Sequence, residues 1–249
     1  MRTIFAHLFF ILGISFAGHS AWAQEPAVDT VKATITLLCW DNVLAIEYPD
    51  FEGEEPLEVP MQVRSIPHRY EGPRQFIITE PAVGDSQNSP KPKPIASVSL
   101  PLNADRVLII LIPQSTQHSN LPYRSITIND SFNIFPRQSL RILNTTPYTL
   151  TGKLGETVFE VAPKSEAIAS PLETRGPKYL VPFRIARYHQ AEEVWRPLRS
   201  TIFQMYPDVR ILALILDDPD QASLRFVLLR DRTPPEPTSP TGNDEGIQE

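Results

Sequence analysis

One cysteine in 249 residues, Cys39, leaves no internal disulfide to be formed. Stability must come from a hydrophobic core or from a partner, even if the chain leaves the reducing cytoplasm. Cys39 stands between Leu38 and Trp40 in an apolar run, the setting of a buried, inert thiol. Histidine is almost as scarce, and His68, His118 and His189 are too far apart to give zinc-ligand spacing. Glycine is thin at 10 residues, and there is no phosphate-cradling loop, G-x-S-x-G elbow or H-E-x-x-H pair. Long hydrophobic runs are missing beyond the first 23 residues. The strongest, RILALIL at 210–216, runs straight into Asp217 and Asp218 and falls far short of the roughly 20 residues that span a bilayer as a helix.

The amino terminus is organised differently. Arg2, an apolar run from Ile4 to Ala17 and small residues ending in Ala21-Trp22-Ala23 follow the plan of a secretory signal peptide cleaved after Ala23. Gly18, His19 and Ser20 interrupt the apolar run, so no transmembrane anchor is expected after processing. The expected destination is the periplasm or the extracellular space. The formal net charge is −6, and removal of Arg2 makes it one unit more negative, which argues against a nucleic-acid partner. Acidic residues crowd positions 24–60, whereas arginines gather between 171 and 210, a split that two solvated faces would also produce.

With 26 prolines spread among Val, Ile, Leu, Phe and Thr, the chain reads as short strands separated by turns. The expected class is all-β, built as two β-sandwich units of the immunoglobulin or a related kind. The first is expected over 30–114 and the second over 122–232, followed by a disordered tail at 233–249, RTPPEPTSPTGNDEGIQE from Arg232, too poor in apolar residues to fold. Strand patterns include VKATITLLCW, QFIITE, RVLIILIP, SITIND and the late pair RILALIL and SLRFVLLR. In KYLVPFRIARY the two-residue period puts Tyr179, Val181, Phe183 and Ile185 on a buried face, while Pro182 suggests an edge strand or a bend. The segment VWRPLRSTIFQMY at 194–206 is positioned to pair with it.

Candidate chemistry is sparse, and no catalytic residue, metal ligand set or cofactor is expected. Ser115 and His118 sit in a polar connection, Asp217, Asp218 and Asp220 in a turn between strands, and Glu192 and Glu193 are adjacent and so diverge. Asn129 and Asn144 match the N-glycosylation pattern but read as turn residues. A binding face is the remaining candidate. Arg184 and Tyr188 share the polar face of one strand and Arg196 is placed to join them, while Trp195 and Arg199 fall with Phe203 and Met205. Arginine forks bind carboxylates and aromatic rings stack on sugars, so the expected partner is an envelope protein or an anionic polysaccharide.

The succession HRYEGPRQFIIT, then SFNIFPRQSLRILNTTPYTLTGKLGETVFEVAP and a late VWRPLRS resembles a group of uncharacterised exported bacterial β-sandwich proteins of unknown function. The asparagine-strand-glycine pattern is also loosely similar to periplasmic accessory proteins of exopolysaccharide modification. The resemblance implies export and a β fold and carries no catalytic residue. The expected function is a non-catalytic β protein that binds or organises a cell-envelope or extracellular partner. The alternatives are a hydrolase or transferase with an unrecognised site, or a structural subunit of an envelope assembly.

Overall fold

A computed structural model describes residues 29–49, 55–81, 92–114, 119–171, 179–189, 192–218 and 223–232. The leader with its cleavage position after Ala23, the tail from 233, and Ser115, His118 and Asp220 lie outside them. The chain is all-β, with sixteen strands and no helix among the described residues.

The first eight strands are β1 (Thr30–Cys39), β2 (Leu44–Ile46), β3 (Leu57–Val59), β4 (His68–Pro73), β5 (Gln75–Thr79), β6 (Pro94–Ser99), β7 (Arg106–Pro113) and β8 (Tyr123–Asn129). One sheet has the order β4-β1-β7-β8, with β1 and β7 parallel and the other pairs antiparallel. The pairs β2-β3 and β5-β6 are joined where Glu47 and Thr79 exchange backbone hydrogen bonds of 2.9 Å, which gives the row β3-β2-β5-β6. The SITIND segment, expected to open the second unit, is the core of β8 and closes the first sheet. The boundary between the two halves therefore falls in the segment 130–139.

The remaining strands are β9 (Leu140–Asn144), β10 (Leu150–Leu154), β11 (Thr157–Val161), β12 (Ser165–Ala169), β13 (Leu180–His189), β14 (Val194–Gln204), β15 (Val209–Asp218) and β16 (Ser223–Arg232). They form the sheets β12-β9-β15-β16 and β11-β10-β13-β14, again with the first strand, β9, parallel to the seventh, β15. Strand for strand, the second half repeats the order of the first. Register makes the correspondence residue-specific. Val107 opposite Ile35 matches Ile211 opposite Leu140, so Arg106-Val107-Leu108 corresponds to Arg210-Ile211-Leu212. An immunoglobulin sheet sets its first strand beside its second and its second beside its fifth. Here the first strand is flanked by the fourth and the seventh, so the strand order is not the immunoglobulin one.

The apolar runs of β7 and β15 have two buried faces, as near-continuous Val/Ile/Leu strands do. Val107, Ile109 and Leu111 enter a core with β2, β3, β5 and β6, while Leu108, Ile110 and Ile112 enter a second core. In β15, Leu212, Leu214 and Leu216 meet that same second core from the other side, and Ile211, Ala213 and Ile215 turn to a third core under β10, β13 and β14. The four sheet layers are thus stacked with the β7 and β15 sheets at the centre. Each large side chain buried between them contributes roughly 1.5–3 kcal/mol before entropy. An apolar contact of this kind opposes relative motion of the halves.

The segment 130–139 crosses this junction over a buried ionic cluster. Arg210, whose side chain is 0% exposed, donates to Asp130 Oδ2 at 2.9 Å, Asp231 Oδ2 at 2.6 Å, and the backbone carbonyls of Asp130 and Phe135 at 3.0 and 3.2 Å. Arg64 grips Asp130 with a two-pronged pair at 2.8 and 3.1 Å. The Phe132 ring lies 4.8 Å from the guanidinium of Arg106 and 4.8 Å from its counterpart Arg210. The Arg-Asp positions of the two halves therefore meet around one aromatic ring.

Candidate functional site

The outer layer β11-β10-β13-β14 departs twice from a regular ladder. Gly152 on β10 is the first. A Cβ there would sit 2.3 Å from Phe159 Cζ and 2.5 Å from the Arg184 carbonyl, so only glycine admits this approach of β10 to β13. The second is a bulge on β14: Ile185 pairs with Arg199 but Ala186 pairs with Pro197, leaving Leu198 as the extra residue. Pro182 sits in an interior strand and not at an edge. Its carbonyl accepts from Gly155, and its missing N–H falls just beyond Leu154, where β10 ends.

The bulge decides which side chains share the outer face. Alternation from Arg184 through Ala186 to Tyr188 stays on one side of β13, and their register partners are Ser200, Pro197 and Trp195. Trp195, assigned by alternation to the core, is therefore on the outer face, 46% exposed, with its ring 5.1 Å from that of Tyr188. Arg196, expected beside Arg184, is opposite Arg187 on the other face. It is held by both carboxylate oxygens of Glu192, and that hydrogen bonding lowers the Glu192 pKa below the usual carboxylate value. One inserted residue reversed the assignment of every β14 side chain before it.

This face holds a shallow hollow of about 370 Å³. Its floor is made of small or flat groups, Thr151, Ala186 and Pro197, and Lys153, Val158, Arg184 and Ser200 form one wall. The Tyr188–Trp195 pair follows next along the same face. Lys153 is paired with Glu156 at 2.7 Å, and this hydrogen bond lowers the Glu156 pKa. The Arg184 side chain is exposed and makes no hydrogen bond or ion pair among the described residues. Its guanidinium is the cation of this wall that a carboxylate or sulfate could engage with a fork of two hydrogen bonds.

The other candidates resolve into structure. Cys39 is fully buried, its Sγ 3.2 Å from Asn42 Oδ1 and 3.4 Å from Asp41 Oδ1, and burial raises its pKa away from the reactive thiolate. Asn144 is fully buried. Its amide donates to the carbonyls of Tyr148 at 2.7 Å and Ala162 at 2.9 Å, and its Oδ1 accepts from Thr146, so the NTTPY turn is tied by this side chain. Asp217 is described and exposed, and no cluster with metal-binding composition occurs among the described residues. His68 has its pKa lowered by burial beside a second hollow near β3. No described helix is long and apolar enough to cross a membrane. No protein-family model matches the chain, and no characterised protein matches it in sequence.

Proposed function

We propose that this chain is an exported, non-catalytic β protein that binds an acidic envelope or extracellular polysaccharide on the outer face of β11-β10-β13-β14. The observation that carries the reading is Arg184. Among the described residues its side chain has no partner, and it stands at the wall of a hollow with an apolar floor, on the same face as the Tyr188–Trp195 ring pair. Rings of this kind pack against the flat faces of sugars while the guanidinium takes the acid group. The signal-peptide pattern at residues 1–23 supports delivery to the compartment where such polymers are found. Residues carrying the site are Arg184, Tyr188 and Trp195, with Arg196 withdrawn to the opposite face.

Affinity electrophoresis of the full mature protein through gels containing polygalacturonate or neutral dextran tests the proposal. Retardation by the acidic polymer alone is expected, falling about tenfold in apparent affinity in Arg184→Ala and again in Trp195→Ala. Equal mobility of the wild type in both gels, or unchanged retardation of both variants, refutes it.

A further inference from the structure

The two halves follow one strand plan, so the same edge can be compared in both. In the first half the edge strand β6 is sealed by β8. Ser125 Oγ donates to the Ser97 carbonyl at 2.6 Å and Thr127 Oγ1 to the Ser99 carbonyl at 2.8 Å, so two outward carbonyls of the β6 edge are capped by β8 side chains. The corresponding strands of the second half are β14 and β16. Register equates Thr127, opposite Ile109, with Leu228, opposite Ala213, and Ser125, opposite Leu111, with Phe226, opposite Ile215. Both sealing hydroxyls are replaced by side chains that cannot donate a hydrogen bond. Among the described residues nothing closes the β14 edge as β8 closes β6.

The backbone direction on β14 follows from its neighbour. Tyr188 N–H donates to Thr149 and the Pro182 carbonyl accepts from Gly155, so even-numbered residues of β13 turn their backbone groups toward β10. Val181, Phe183 and Ile185 then turn toward β14, where they meet Phe203, Thr201 and Arg199. Ser200, Ile202 and Gln204 are left with N–H and C=O groups pointing out of the sheet. Across the opening lie Leu224, Phe226 and Leu228, only partly buried and packed on the third core. Arg199 lies over Phe226 at 6.0 Å and Arg232 over Tyr206 at 5.9 Å, which gives the opening a cationic rim.

We propose that the β14–β16 opening is a docking edge that takes an extended segment of a partner polypeptide as an added strand. The partner's alternate apolar side chains cover Phe226 and Leu228 beside the arginine rim, and its intervening side chains lie on the outer face next to Ser200 and Ile202. Backbone pairing with Ser200, Ile202 and Gln204 supplies affinity, and the alternation supplies choice of partner. The docking edge adjoins the Arg184 face at Ser200 but uses the backbone of β14 and the side chains of β16, not the side chains of Arg184, Tyr188 and Trp195. The alternative that the opening is a bare solvent-facing edge is weakened by its lining, since three large apolar groups occupy positions where the other half has a tyrosine, a serine and a threonine.

The test uses fluorescence anisotropy with the full mature protein and a synthetic peptide of about ten alternating valine and glutamate residues. Binding is expected, together with a phase effect: N-methylation of one alternate set of peptide amides lowers affinity about tenfold or more, and methylation of the other set does not. Ile202→Pro removes one outward N–H at an edge, where proline is tolerated, and should weaken binding by a similar factor. Phe226→Ser combined with Leu228→Thr restores the sealing hydroxyls of the first half and should close the edge. Arg184→Ala should leave peptide binding intact. Absence of binding at about 1 mM peptide, equal effects of both methylation phases, or full binding by the hydroxyl-restored variant overturns the proposal.

Discussion

Removing Arg210 is the most direct perturbation of the junction between the halves. In Arg210→Met the backbone carbonyls of Asp130 and Phe135 lose a buried donor, at about 1 kcal/mol or more each. Asp130, however, keeps the two-pronged grip of Arg64, and Asp231 is 21% exposed and can recruit water. The expected loss is therefore about 3 kcal/mol, at the lower end of the range for breaking a buried ion pair. At about 2–4 °C per kcal/mol for a chain of this size, Tm should fall by about 6–12 °C. Asp130→Asn removes the carboxylate that Arg64 and Arg210 share, leaving one anion, Asp231, 2.6 Å from Arg210 and 3.8 Å from Arg64, and should cost more, about 4–5 kcal/mol. Arg64→Met should cost least, about 1–2 kcal/mol, because Arg64 is 14% exposed and Asp130 retains Arg210. Equilibrium urea unfolding at constant slope ranks the three. A cost below about 0.5 kcal/mol for Arg210→Met, or a larger cost for Arg64→Met than for Asp130→Asn, would refute this account of the junction.

Gly152→Ala should destabilise by about 3 kcal/mol, at the top of the overpacking range, because one of the clashing atoms is the Arg184 carbonyl of the paired strand. Adding Phe159→Ala should recover less than half of that loss in urea melts, since trimming the ring leaves the backbone clash. Burial holds the Tyr48 hydroxyl neutral, its pKa pushed up from 10.0 to about 12, so its contribution to stability is present below pH 10 and is lost as pH rises towards 12. Tyr48→Phe should flatten the stability profile over that alkaline window, and an unchanged profile would exclude Tyr48 as its source.

The strand content was legible in residues 24–232 because proline and the two-residue period act locally. The runs at 210–216 and 106–113 carry no alternation, as strands buried on both faces do. What pairing a strand would choose was hidden. SITIND carries the period of a strand, yet nothing within it says that its neighbour is β7, a contact set by the parallel β1–β7 pair formed across more than half of the first unit. The layout of the candidate face was half visible. Arg184 and Tyr188 were found by alternation, which holds along β13, whereas Trp195 and Arg196 exchanged faces because Leu198 is one residue too many. The signal that identified neither Arg210 nor the tandem plan was nonetheless present, in R-V-L at 106–108 and R-I-L at 210–212. An arginine at the head of a buried strand invites the question of what carboxylate is buried with it.

The tandem plan separates what both halves need from what one of them has changed. At the junction each half supplies an arginine at the start of its seventh strand and an aspartate opposite it, Arg106 with Asp130 and Arg210 with Asp231, although burying such charges is costly. At the far edge the halves differ, with Ser125 and Thr127 in one and Phe226 and Leu228 in the other. A hydroxyl pair closes an edge cheaply, and two large apolar groups left partly in water forgo about 25 cal/mol for every Å² they fail to bury. A half serving only as a spacer would gain from the hydroxyls. The second half instead keeps an apolar opening between β14 and β16 and, on the outer face of β13 and β14, an arginine without a side-chain partner among the described residues on the same face as two aromatic rings. On the proposed reading, the first half and the buried ionic cluster would be the mount, and the changed residues of β13, β14 and β16 the part that meets a partner.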